Sequence, residues 1–267
     1  MKGSFAFIRV DSWAKKDPPC TAAGVVNGPG LCVGYGRPMK CTRRNRSFPS
    51  SFAIAALSLA WLFAAPPASA RPEDWAGDIA RFTQADAVHP PPPGAVLFVG
   101  SSSIVLWKTL AQDFPEIVAL NRGFGGSELA DSVFYADRIV LPYHPRLVVL
   151  YAGDNDIWAG KTPETVLADF RAFRTKVHAA LPETKIIYLA VKECPARAAK
   201  RDAVRETNRL IAADCAANPN CEFVDVAAPL LAPDGGFRPE LYRDDQLHLS
   251  AAGYAIWTRV LAPHLRR

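Results

Sequence analysis

The sequence predicts an α/β domain: five parallel strands sandwiched between helices in a three-layer α/β/α arrangement. Three observations predict it. Short uninterrupted apolar runs alternate with longer stretches of helical period, and most runs end in a turn built from Gly, Ser, Asn or Asp. A strand buried on both faces needs such a run, and strands that alternate with helices form βαβ units around a parallel sheet. The composition, 49% hydrophobic and 21% charged over 267 residues, suits a soluble core and excludes collagen-like, coiled-coil and wholly disordered chains. No uncharged apolar run reaches the roughly 18 residues of a membrane span, which excludes a polytopic membrane protein.

Residues 72–87 have helical period, and the Pro-rich stretch 89–94 cannot continue a helix. Residues 95–99 read as the first strand, 104–112 as a helix, 117–120 as the second strand and 127–141 as a helix. Residues 146–152 form the strongest strand pattern. The next helix, 162–181, opens on Thr162-Pro163-Glu164, where Thr can cap, Pro suits the first helical position and Glu favours the positive end of the dipole. Residues 185–191 read as the fourth strand, 199–217 as a helix, 222–226 as the fifth strand and 250–265 as the closing helix. No internal repeat is visible.

The charge is unevenly spread. The formal net charge is +5, yet residues 1–70 hold nine Lys/Arg against two acids, so the main body is near neutral and has no basic run longer than a pair. A nucleic-acid surface needs clustered cations to release counterions, so that class is excluded. The basic segment has another reading. Met39 opens a positive stretch, residues 52–65 are uncharged and apolar, and Ala68-Ser69-Ala70 is a small-x-small site. Residues 39–70 are thus expected to be a cleaved secretory signal, leaving no stable membrane span after cleavage, with a retained N-terminal anchor as the alternative. Residues 1–38 read as a disordered, over-extended N-terminus with translation starting at Met39. The folded domain is expected at 71–267, secreted or periplasmic. Export implies an oxidising compartment. Cys215 and Cys221 flank a short turn and could form a local disulfide. Cys194 is left over, as a packing residue or a reactive thiol. No His, Cys and carboxylate cluster has metal-ligand spacing, so no metal and no cofactor is expected.

In open α/β sheets function sits in the loops after the carboxyl ends of the strands. Here those loops read Gly100-Ser101-Ser102-Ser103, then Asn121-Arg122-Gly123-Phe124-Gly125-Gly126-Ser127, then Gly153-Asp154-Asn155-Asp156. Past the fifth strand comes Asp245-Gln246-Leu247-His248. Together they point to acyl transfer. A serine at a strand-to-helix turn can expose its hydroxyl above the sheet, and needs a base, usually His, to become a nucleophile. Asp245, three residues before His248, can reach back to the imidazole Nδ1 and fix its tautomer. An oxyanion needs preorganised donors, which the Ser102 and Gly126 amides and the Asn155 side chain can offer.

These four blocks resemble the signature blocks of the SGNH/GDSL hydrolases, esterases with a flavodoxin-like fold. Val96-Leu97-Phe98-Val99-Gly100-Ser101-Ser102-Ser103-Ile104 resembles the first, with Ser102 in the nucleophile position. Asn121 to Ser127 resembles the second, with Gly126 as the oxyanion glycine. Gly153-Asp154-Asn155-Asp156 resembles the third, with Asn155 as an oxyanion donor. Asp245-Gln246-Leu247-His248 resembles the last, and Gly253 and Tyr254 fit the start of the family's final helix. The resemblance spans about residues 95–265. One departure stands out: Ser101 replaces the Asp that often precedes the nucleophile, which leaves three consecutive serines. The resemblance implies a serine esterase that needs no cofactor, with an open site and short-chain acyl or acetyl esters as substrates, and the segment 39–70 adds the expectation that it is exported. Lysophospholipase, thioesterase or carbohydrate deacetylase activity is the alternative within the fold. A non-catalytic carbohydrate- or envelope-binding protein is the rival class. Partners are small-molecule, saccharide or lipid esters.

The remaining candidates have two readings each. Trp107, Phe124 and Trp158 follow the loops, and either line a substrate pocket or pack in the core. Lys192, Arg197 and Arg201 follow strand four, and either bind an anionic group or face solvent. Asp154 and Asp156 form a glycosidase-like carboxylate pair or shape their turn. The Gly123-Phe124-Gly125-Gly126 run lacks the spacing and position of a dinucleotide loop. His89, His144, His178 and His264 read as surface residues.

Overall fold

The computed structural model describes residues 72–265. The expected signal segment and the residues before it lie outside the described residues. Five strands, β1 (Val96–Gly100), β2 (Ala119–Gly123), β3 (Leu147–Tyr151), β4 (Lys185–Leu189) and β5 (Cys221–Val224), form one sheet in the order β2-β1-β3-β4-β5. Every pairing is parallel. The order reverses between β1 and β3, which opens a crevice above their carboxyl ends.

Successive residues of a strand point to opposite faces, and here both faces are buried. Leu97, Val99, Val148, Leu150, Ile186 and Tyr188 face one layer. It is built from α1 (Pro72–Val88), α4 (Leu129–Ile139), α6 (Pro163–Ala180) and α7 (Arg201–Ala216). Val96, Phe98, Val149, Tyr151, Ile187 and Leu189 face the other. That layer consists of α2 (Ser102–Val105), α3 (Leu110–Asp113) and α8 (Ala251–Leu265). A short α5 (Asp154–Trp158) follows β3 directly. Among the described residues no helix is long and apolar enough to cross a membrane.

The element pattern matches the sequence reading, with local differences. Thr162 caps α6 as expected: its hydroxyl accepts the Thr165 amide at 3.3 Å. The helix expected at 104–112 is broken into α2 and α3. The break lets Trp107 insert between Phe98, Phe114, Tyr254 and Trp257, and its indole N–H reaches Asp113 at 2.6 Å. β2 starts two residues and ends three residues later than expected, because its second half carries Asn121 and Arg122, which break the apolar run. Arg122 is nonetheless buried, paired with Asp86 at 2.6 Å and bonded to the Tyr143 hydroxyl at 2.9 Å. Residues 195–200, which precede α7, form 3-10 turns. Cys194, Cys215 and Cys221 are all free thiols, so the possible Cys215–Cys221 bridge is not formed. Cys194 is buried in the core, and burial raises its thiol pKa, which makes it a packing residue.

Candidate active site

β1 ends in a turn that only glycine can make. Gly100 has φ +135°, and a Cβ there would lie 1.9 Å from the Tyr151 carbonyl oxygen. The turn lets the Ser101 amide bond that carbonyl at 3.0 Å and starts α2 at Ser102. The three serines then separate by environment. Ser101 and Ser103 are fully buried, and the Ser103 hydroxyl accepts from Lys192 at 3.3 Å. Ser102 is half-buried, and its Oγ lies 2.9 Å from His248 Nε2.

His248 comes from the loop before α8. An antiparallel bridge between Tyr242 and Leu249 closes this loop, together with a bond from the Arg243 amide to the His248 carbonyl at 2.7 Å. Gln246 takes a left-handed conformation (φ +52°) at its tip. That tight turn folds the Asp245 carboxylate back onto its own loop. Oδ1 accepts the Leu247 and His248 amides, both at 2.9 Å, and Oδ2 lies 2.6 Å from His248 Nδ1. Partial burial favours the neutral acid, but the bonds from the imidazole and the two amides outweigh it and lower the Asp245 pKa to about 2. The network assigns the imidazole one tautomer, with Nδ1–H on Asp245 and Nε2 accepting from the serine hydroxyl.

The Gly125–Gly126 turn runs beside the serine: a Cβ on Gly125 would lie 3.9 Å from Ser102 Cβ. Trp75 of α1 donates to the Gly125 carbonyl at 2.7 Å, and Ser127 Oγ donates to the Phe124 carbonyl at 2.8 Å. Gly126 has φ +80° and open space where a side chain would stand. Asn155, in the first turn of α5, donates through Nδ2 to the Ser127 carbonyl at 3.0 Å, which ties the β2 and β3 loops together. Its Oδ1 accepts from Arg197 at 2.9 Å.

The other candidates sort cleanly. Trp107 and Phe124 are essentially fully buried in the two core clusters, so their pocket-lining reading is corrected to core packing. They follow loops in sequence, but the helix and strand ends turn them inward. Trp158 is 44% exposed, with the Arg197 guanidinium over its ring at 5.4 Å. The solvent-face reading of Lys192 is also corrected. It is buried, and bonds Asp154 at 3.1 Å and the Tyr151 hydroxyl at 3.0 Å. Burial disfavours the Lys192 charge, but Asp154 outweighs that and raises its pKa; Asp154 in turn is lowered by Lys192 and Arg197 against its own burial. Arg201 pairs with Glu193 and the Gly235 carbonyl. Asp156 is fully buried, accepts the Leu129 amide at the start of α4 at 3.0 Å, and bonds Lys161 at 3.0 Å. Asp154 is therefore held by Lys192 and the Tyr151 hydroxyl, and Asp156 by Lys161 and the Leu129 amide. Among the described residues no cluster of three or more His, Cys, Asp or Glu could hold a metal. Sequence reasoning missed Trp75, whose partner is fifty residues away and gives no local signal.

The GDSL-like Lipase/Acylhydrolase family matches residues 99–256, from the end of β1 into α8. The human platelet-activating factor acetylhydrolase IB subunit alpha1 is 29% identical over 184 residues, which cover 64% of this chain and 75% of that protein. A GDSL-like lipase of Bacteroides thetaiotaomicron superposes with a TM-score of 0.60 at 22% identity, covering 71% of this chain and 97% of that one. An acetylxylan esterase of Geobacillus stearothermophilus superposes at 0.54 and 19% identity, covering 66% and 95%. Both superpositions support the fold. With more than half its length matched, strand-end blocks included, the chain belongs to the GDSL-like lipase/acylhydrolase family.

Proposed function

We propose that the protein is a serine ester hydrolase in which Ser102 is the nucleophile, His248 the general base and Asp245 the residue that orients it. One observation carries the reading: the unbroken line from Asp245 Oδ2 to His248 Nδ1 at 2.6 Å and from His248 Nε2 to Ser102 Oγ at 2.9 Å. Ser102 Oγ bonds to the ester carbonyl carbon as its proton passes to His248 Nε2. The carbonyl oxygen gains the charge and is met by the Ser102 and Gly126 amides and Asn155 Nδ2. The C–O bond to the alcohol then breaks, and His248 returns the proton to the leaving oxygen. Water attacks the acyl-enzyme, gives its proton to His248 and releases the acid; the same proton restores the serine hydroxyl.

The substrate reading is short acyl or acetyl esters. The acetylhydrolase relative supports it, as do the open space at Gly126 and the exposed Trp158 ring. Trp158 is the one of the three sequence candidates left to face an alcohol or sugar group. The reading also places the protein outside the cytoplasm, supported by the basic, apolar and small-residue order of 39–70. A mature chain beginning at Arg71 is the expected result of N-terminal sequencing; residues 39–70 still attached would favour the anchored form.

The test is hydrolysis of p-nitrophenyl acetate by wild type and Ser102→Ala. The variant is expected to lose about 10,000-fold or more in kcat. Equal rates would remove the mechanism. An acyl-chain series from acetate to decanoate, run beside acetylated xylan, tests the substrate reading. A maximum at long chains would overturn it.

A further inference from the structure

Two side chains outside the catalytic line hold the oxygen ends of two of the three amides proposed to face the oxyanion. Arg197 Nη2 donates to Asn155 Oδ1 at 2.9 Å, while its Nη1 donates to the neighbouring Asp154 carbonyl at 2.8 Å. Trp75 Nε1 donates to the Gly125 carbonyl at 2.7 Å. Guanidinium and indole N–H groups donate and cannot accept. Each bond therefore has one direction, and each amide has one allowed orientation.

The consequence at Asn155 is specific. With Oδ1 bound to Arg197, the NH2 group must face the other way. One of its hydrogens goes to the Ser127 carbonyl at 3.0 Å, leaving the second for an incoming oxygen. A flipped amide would aim two N–H groups at a cation and an oxygen at a carbonyl. The consequence at Gly126 follows from peptide geometry. The described residues contain no cis peptide bond, and in a trans peptide the C=O and the next N–H point in opposite directions. A Gly125 carbonyl turned toward Trp75 therefore turns the Gly126 N–H away from it. Glycine at both positions would otherwise let this peptide rotate easily.

We infer that Arg197 and Trp75 are positioning residues that preset the oxyanion hole, Arg197 through Asn155 and Trp75 through the Gly125–Gly126 peptide. Trp158 supports the first by lying under the guanidinium at 5.4 Å. The second brings in α1, which precedes the family-matched residues 99–256. Both bond the oxygen ends of those amides, so both act on the transition state through the donors. The inference rests on the acyl-hydrolase reading above.

The experiment measures kcat and KM on p-nitrophenyl acetate for Arg197→Met, Arg197→Lys and Trp75→Phe, alone and in an Asn155→Ala background, with melting temperatures and Ser102→Ala alongside. Asn155→Ala is expected to lower kcat about 100-fold, as for a lost oxyanion donor. Arg197→Met is expected to lose about 10-fold in kcat and Trp75→Phe about 3- to 10-fold, each with KM within about twofold, on the scale of one hydrogen bond. Arg197→Lys should fall between wild type and Met, since one ammonium cannot hold both acceptors. The backgrounds separate the two routes. In Asn155→Ala the Arg197 effect should vanish, because its target is gone, while the Trp75 effect should persist.

Wild-type kcat in Arg197→Met and Trp75→Phe, with Ser102→Ala inactive, would overturn the inference and leave the hydrolase reading intact. An active Ser102→Ala would overturn both. An Arg197 loss carried only by KM, or undiminished in Asn155→Ala, would also overturn it, as would a fully active Asn155→Ala. Trp75→Phe keeps the edge-on packing against Phe124, and Arg197→Lys keeps the charge, so each reads the lost bond in a folded protein.

Discussion

Asp245→Asn should damage the enzyme more than Asp245→Ala, although it is the smaller change. In the folded loop Oδ1 accepts two amides at 2.9 Å, and Oδ2 meets His248 Nδ1 at 2.6 Å. Asparagine has only one oxygen. The two amide donors select that oxygen for the Oδ1 place, so the NH2 group takes the Oδ2 place and points at the imidazole. A donor there requires an unprotonated Nδ1, which moves the hydrogen to Nε2. Nε2–H then faces the Ser102 hydroxyl and cannot take its proton. Alanine leaves the tautomer free, so a fraction of the imidazole stays competent. An imposed wrong tautomer is worth about 1,000- to 10,000-fold in kcat, or about 4 to 5.5 kcal/mol of barrier at 1.36 kcal/mol per tenfold. The assay is p-nitrophenyl acetate turnover at pH 7 for wild type and both variants, with 15N shifts of the His248 ring to read the tautomer. An asparagine variant faster than the alanine variant, or one that retains Nδ1–H, would refute the reasoning.

Other outcomes follow from the same contacts. Lys192→Met should destabilise the protein by about 3 to 5 kcal/mol, because it removes the nearest cation from the buried Asp154 carboxylate and leaves Arg197 at 3.7 Å, and Asp154→Asn in the same chain should recover much of that in a urea melt; a melt unchanged by the single variant would contradict the buried pair. Gly100→Ala should cost about 3 kcal/mol or more, since it combines a left-handed φ with a Cβ 1.9 Å from the Tyr151 carbonyl oxygen, and a near-wild-type melting temperature would show that the turn relaxes freely. Trp107→Ala should lose about 3 to 5 kcal/mol of stability with its acyl-chain preference unchanged, whereas altered preference at full stability would return it to the substrate site. The Asp245 pKa lies below its ordinary value of 3.8, so its bonds stabilise the fold above about pH 4, and that contribution is lost as pH falls through about 2. Over that window wild type should lose stability relative to Asp245→Ala, and parallel curves would contradict the assignment.

The sequence made the central strands legible because β1, β3 and β4 are buried on both faces and read as unbroken apolar runs. β2 is an edge strand whose Asn121 and Arg122 serve side-chain bonds, so its apolar signal stopped early. α5 was hidden for a different reason: Asp154, Asn155 and Asp156 look like a turn, and their helix is only five residues long. Ser102 is marked in the sequence by the turn that follows β1, and Asp245 and His248 by their three-residue spacing in the loop before α8. Among the three serines the register from Gly100 favours Ser102. Burial separates them, since Ser101 and Ser103 point inward. Side-chain contacts made across the fold left no such mark. Trp75, Lys192 and Arg197 reach partners 50, 89 and 42 residues away, distances over which only the folded sheet brings groups together. Trp107 and Phe124 mislead for a related reason: proximity in sequence to a loop says nothing about which way an aromatic ring turns.

The most direct measurement is covalent capture of the nucleophile. A fluorophosphonate reacts with a serine only when a neighbouring base has activated it and donors stabilise the charged phosphoryl oxygen, so one reagent samples the whole line of groups at once. Peptide mass mapping of the treated protein should find a single adduct on Ser102, absent after His248→Ala. An unmodified Ser102 in active protein, or an adduct carried by Ser101 or Ser103, would contradict the account.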